Sequence, residues 1–148
     1  MNIRLRYDPA APYDPDNKTP AGETMIKVKS IFTNPSDDDG LRVLVEPAWP
    51  RKARHKNTVV NIWLRDLAPS PGLYDLYSSN MVTWEGFVAR YHVELDRNRN
   101  FFPDLQAHNH NGGLTLLHGS RNDGRNTAVA LKMLLEKDDP EMQSMGIG

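Results

Sequence analysis

The sequence predicts an α/β fold, a single three-layer domain in which a small mixed or parallel sheet of about four strands is flanked by helices. Three observations lead there. Residues 41–46 (LRVLVE) are apolar on both faces, with Leu41, Val43 and Val45 on one side and Leu44 on the other, as in a strand covered from above and below. Residues 113–136 pass from an apolar run (Leu114, Leu116, Leu117) through the polar loop 118–125 into a helix on which Ala128, Leu131 and Leu135 recur at helical spacing, with Leu134 beside them. A strand feeding a helix through a loop is how α/β sheets hold ligands at the carboxyl ends of their strands. The length of 148 residues is that of one ordinary domain, enough to bury a core without staples.

Taken in order, residues 1–24 read as an extended or disordered arm, because Pro9, Pro12, Pro15 and Pro20 interrupt a polar segment without a sustained period. The α/β domain spans 25–137. Its first strand falls within 25–33, where Ile26, Val28 and Phe32 alternate with Lys27 and Lys29. The acidic segment NPSDDDG (34–40) is a turn. After the strand 41–46, Pro47 and Pro50 take the chain out of the sheet into the basic run RKARHK (51–56). Residues 57–67 read as a helix by the spacing of Val59, Trp63 and Leu67, although their residue types also suit a strand. APSPG (68–72) is a break in which Ser70 is a turn or helix cap, and 73–77 forms a short helix. Thr83 or Asn80 caps the next helix, whose buried stripe is Trp84, Phe87, Val88, Tyr91 and Leu95, with Arg90 and Glu94 an i, i+4 pair on its polar side. A further short helix over 103–108 ends in HNHNGG, a C-cap and turn. Asp138 and Pro140 stop the last helix and begin a flexible tail, 138–148.

Composition narrows the function classes. The chain has no cysteine, which excludes disulfides, thiolate metal sites and cysteine nucleophiles. Net charge is -1, which disfavours nucleic acid or an anionic membrane surface as a general partner. No run is long and apolar enough for a membrane helix and no signal peptide is legible, so a cytoplasmic protein is expected.

Several separated motifs resemble the domain-of-unknown-function family 488 in its short, YeaO-like form. They are RVLVEPAWPR at 42–51, WLRDLAPS at 63–70, the positions Trp84, Phe87, Tyr91, Glu94 and Leu95, and TLLHGSRNDGRNTAV at 115–129. The match covers 26–135, and its specificity lies in the order and spacing of the motifs together. The resemblance implies an α/β domain and no particular activity. Where the family pattern has Asp-Arg after the second strand, this chain has Glu46 and Pro47, and a Gly after WPR is Lys52. An Asp before the central Trp is Asn61, an aromatic in the next segment is Leu76, and a Lys-Asp pair in the last loop is Arg121 and Asn122.

If the strands 41–46 and 114–117 lie parallel in one sheet, EPAWPR and HGSRNDGRN meet at its carboxyl edge. Arg51, Ser120, Arg121, Arg125 and Asn126, with the N–H groups opening the last helix, would then suit a small phosphate- or carboxylate-bearing ligand, nucleotide-like or sugar-phosphate-like. Glu46 and His118 are the candidate acid–base residues. The simpler alternative is that Glu46 pairs with Arg51 or Arg121 and that Asn126 only caps the helix. Trp49, Trp63 and Tyr91 are candidate pocket walls. His108 and His110 lack a carboxylate at ligand spacing and are read as a helix end, not a metal site. Neither a cofactor nor a reaction is assigned by these residues. A non-enzymatic protein-interaction module is the alternative class, and a nucleic-acid binder using 51–56 is a weaker one.

Overall fold

The computed structural model of the chain describes residues 25–55 and 58–143. The arm 1–24 and the tail's last residues, 144–148, lie outside the described residues. Four strands, β1 (Lys27–Ser30), β2 (Leu41–Leu44), β3 (Ile62–Trp63) and β4 (Leu114–His118), form a fully parallel sheet in the order β1-β4-β2-β3. The two strands with unbroken apolar character, β2 and β4, are therefore the central ones. Every residue of both is buried.

Among the described residues, five α-helices follow from local signals. In α1 (Pro71–Ser78), the Ser70 hydroxyl accepts from the Leu73 N–H and Pro71 supplies a fixed φ at the first turn. In α2 (Trp84–Leu95) Thr83 caps the Gly86 N–H and Phe87, Tyr91 and Leu95 are buried. A tight turn over Asp96–Phe101 leads into α3 (Phe102–His110). In α4 (Thr127–Lys137) the Asn126 side chain accepts from the Val129 N–H. The short α5 (Pro140–Gln143) lies in the segment read as a tail, and Asp139 before it is buried against His110 at 2.6 Å.

Leu41, Val43, Val45, Leu114 and Leu116 pack with Phe87, Tyr91, Leu105, Leu131 and Leu135 in the main core on one face of the sheet. Leu44, Leu117 and Ile31 meet Ala53, Trp49 and Trp63 on the other face, which is covered by the single-turn helix Arg51–His55. Each fully buried leucine contributes about 2 kcal/mol of transfer free energy.

Residues 31–40 carry the chain from β1 past β4 to β2 without a helix. Asp39 anchors this short crossover. Buried to 2% exposure, it accepts from Lys29 Nζ at 2.5 Å and from Arg42 at 2.6 Å, and Arg42, equally buried, also donates to the Val59 and Thr33 carbonyls.

Three expectations need correction. The segment read as a helix over 57–67 is not one across its described residues, 58–67: Ile62 and Trp63 pair with Val43 and Leu44 as edge strand β3, and a tight turn follows over Arg65–Leu67. Residue type outweighed helical spacing there because a free ladder on β2 lay within reach. Phe32 is 40% exposed and Ile31 takes the core position, since a turn closed by the Thr33 N–H on the Ser30 carbonyl ends the alternation. Glu94 turns not to Arg90 but to Ser70, accepting from its N–H at 2.8 Å and its hydroxyl at 2.6 Å.

Candidate functional site

Because β2 and β4 are adjacent and parallel, the loops leaving their carboxyl ends, 45–50 and 119–126, touch each other. The Val45 N–H continues the ladder to the Leu117 carbonyl at 3.3 Å. Pro50 lies so close to Gly119 that an added Cβ there would sit 2.7 Å from the proline Cγ. The Trp63 indole donates to the Glu46 carbonyl at 2.8 Å, fixing the backbone where β2 ends.

Glu46 points inward and is 4% exposed. Its Oε2 accepts the Tyr74 hydroxyl hydrogen at 2.9 Å, and the Gly119 N–H and the Thr127 hydroxyl lie close enough to favour its charged form. Burial pushes the Glu46 carboxyl above the ordinary glutamate value, against the pull of those three donors. Burial and the neighbouring Glu46 charge together keep the Tyr74 hydroxyl protonated. The partners of Glu46 are thus two hydroxyls and an amide, and the first turn of α4 meets a carboxylate of the chain itself.

His118, the last residue of β4, is fully buried. Its Nδ1 accepts from the Ser120 N–H at 3.1 Å, which places the proton of the neutral ring on Nε2. That nitrogen lies 3.6 Å from an Asp123 carboxylate oxygen, beyond hydrogen-bond length. Burial lowers the His118 pKa, opposed by Asp123, and favours the neutral ring.

The loop before α4 satisfies its own amides. Ser120 Oγ accepts from the Asn122 N–H at 3.0 Å, and Asn122 Oδ1 accepts from the Gly124 and Arg125 N–H groups at 2.9 and 3.0 Å. Asn126 donates to the Asn122 carbonyl at 2.8 Å while capping α4. The backbone donors expected to be open to an anion are therefore largely engaged.

Arg51, Arg121 and Arg125 are exposed and have no carboxylate partner among the described residues. Arg51 begins the turn that covers the second face of the sheet. Arg125, with Asn122, Thr83, Tyr77 and Trp84, lines an open groove of about 550 Å³ between the α1–α2 turn and the β4–α4 loop. Tyr77 holds the two sides together, its hydroxyl donating to the Arg125 carbonyl at 3.3 Å while its ring stacks on Phe87.

Of the candidate pocket walls, Tyr91 is fully buried with its hydroxyl bonded to the Leu67 carbonyl, so it belongs to the core. Trp49 and Trp63 are half-buried and meet edge to face at 5.5 Å on the second face of the sheet. Among the described residues no group of three acidic, histidine or cysteine side chains is placed to hold a metal ion. The sequence reading missed Tyr74 and Thr127, whose contacts with Glu46 exist only once α1 and α4 have docked at the end of β2. It also missed Tyr77 and Trp84 as groove residues, since an aromatic stripe on a helix is ordinarily core.

The family described as the inactive DUF488-N3 subclade matches residues 25–145. The uncharacterised protein Rv3073c of Mycobacterium tuberculosis (strain H37Rv) is 31% identical over 113 residues, covering 76% of this chain and 95% of that one. YeaO of Escherichia coli K12, also uncharacterised, is 26% identical over 106 residues, covering 72% and 92%. No solved structure matches the chain. Within the described residues no helix is long and apolar enough to cross a membrane.

Proposed function

The chain belongs to the inactive DUF488-N3 subclade, and from that premise we propose that it is a non-catalytic domain that binds a small anionic, ring-bearing ligand in the groove beside Arg125. The observation that carries this reading is the groove itself: an exposed guanidinium and the Asn122 amide on one side, Tyr77 and Trp84 on the other. Arg125 supplies bidentate donors for a phosphate or carboxylate. The aromatic pair, with ring centroids 5.8 Å apart, supplies an apolar wall for a ring. Glu46 and His118 have structural roles in this reading. Each is buried, Glu46 is spent on holding α1 and α4 to the sheet, and the interior position at the start of α4 already contains a carboxylate.

A thermal-shift panel of inorganic phosphate, nucleoside monophosphates, sugar phosphates and uncharged nucleosides tests the reading. Phosphorylated compounds stabilise the protein, by about 2.7 kcal/mol at a hundredfold excess over Kd, and uncharged nucleosides do not. Equal effects of charged and uncharged compounds, or none from any, would overturn it. A second reading, a protein-interaction module, draws on Met81 and Leu76, 71% and 39% exposed around the α1–α2 turn.

A further inference from the structure

Among the described residues, some cations are paired and others are not. Lys27, Lys29, Arg42, Arg99 and Lys132 each meet a carboxylate. From Pro47 to Arg65 the sequence contains no acidic residue, and Arg51, Lys52 and Arg65, all exposed, have no carboxylate partner among the described residues. These three belong to one region of the surface. Arg51 and Lys52 open the turn that packs Ala53 against Trp49 and Trp63, and the Arg65 guanidinium lies over the Trp63 ring, 4.9 Å from its centre. The Trp63 ring is steadied by Trp49 at its edge and by its hydrogen bond to the Glu46 carbonyl.

We propose that this face, distinct from the Arg125 groove, binds a single nucleic-acid strand, with phosphates on Arg51 and Lys52 and a base stacked on the Arg65 plane that Trp63 backs. The Arg65 guanidinium, its carbon held over the Trp63 ring, offers a delocalised cation on which a base can stack, and such stacking accepts any base. The neighbouring unpaired cations satisfy the second requirement of strand binding, a positive track for the backbone. A local cluster of positive charge on this face is compatible with a net charge of -1, which disfavours nucleic acid only when averaged over the chain.

Fluorescence anisotropy of a labelled oligothymidine, titrated with the full chain at several salt concentrations, tests the proposal. The expected result is saturable binding whose logarithmic salt slope is about -1.4, two phosphate contacts at roughly 0.7 each. The Arg51→Ala, Lys52→Ala double variant makes the slope shallower by about 1.4. Arg65→Ala weakens binding severalfold, and Arg65→Lys restores charge but not stacking. Circular dichroism confirms that each variant is folded. Absence of binding at low salt would overturn the proposal, as would equal binding by the double variant. Competition by polyglutamate as strong as by unlabelled strand would assign the face to acidic protein segments instead.

Discussion

Tyr74 and Glu46 share a hydrogen bond of 2.9 Å that joins the first turns of α1 to the end of central strand β2. The tyrosine of α1 reaches the buried carboxyl, and the Thr127 hydroxyl at the start of α4 also favours the charge there. Tyr74→Phe removes a hydrogen-bond donor from a buried carboxyl group. It is expected to cost roughly 1–3 kcal/mol, read as a lower midpoint in urea with an unchanged slope.

Stability near neutrality carries a signature of Glu46. Its carboxyl pKa is raised in the folded state, chiefly by burial, so the folded protein holds a proton that the unfolded chain releases. The stability linked to that proton is complete below the ordinary glutamate value, about pH 4.3, and is lost as pH rises through the raised one. Glu46→Gln keeps the shape without the charge. Melting temperatures from about pH 4 to about pH 7 should therefore show the wild type losing ground to the glutamine variant as pH rises. A constant difference across that range would place the carboxyl at its ordinary value.

At the opposite end of β2 the sign reverses. Burial pushes the Asp39 carboxyl upward, but Lys29, Ser36 and Arg42 override it and hold the group well below the usual carboxylate range. Its contribution is present above about pH 3.9 and lost as pH falls further. At neutral pH, Arg42→Met leaves Asp39 buried with less compensation and should cost roughly 3–5 kcal/mol in denaturant titrations.

Gly40 tests the crossover that these charges anchor. Its φ is +64°, and an added Cβ would lie 2.1 Å from the Gly113 carbonyl oxygen, a backbone atom that cannot swing aside. Gly40→Ala should cost more than about 1 kcal/mol and increase amide exchange at the start of both β2 and β4.

The central strands, the helix caps at Ser70, Thr83 and Asn126, and the meeting of the β2 and β4 loops were legible because each is announced by neighbours in sequence: apolar runs, a capping side chain, a strand followed by a polar loop. The two-residue strand β3 was not, since Ile62 and Trp63 become a strand only by pairing with β2. The burial of Arg42 was equally hidden. An arginine within an alternating strand reads as a wet position until Asp39, Thr33 and Val59 are brought around it. At the candidate site, the residue types were legible but their destinations were not. Glu46 found the Tyr74 hydroxyl on a helix distant in sequence, and Arg125 lines a groove with Tyr77 and Trp84 that no motif announced.

Isothermal titration of a nucleoside monophosphate into wild type, Arg125→Ala and Glu46→Gln tests the groove most directly. The groove reading predicts a saturable isotherm for the wild type, its retention in folded Glu46→Gln, and a loss of affinity of tenfold or more, about 1.4 kcal/mol, in Arg125→Ala. Binding that survives Arg125→Ala and vanishes in Glu46→Gln would contradict it and move the site to the interior at the start of α4.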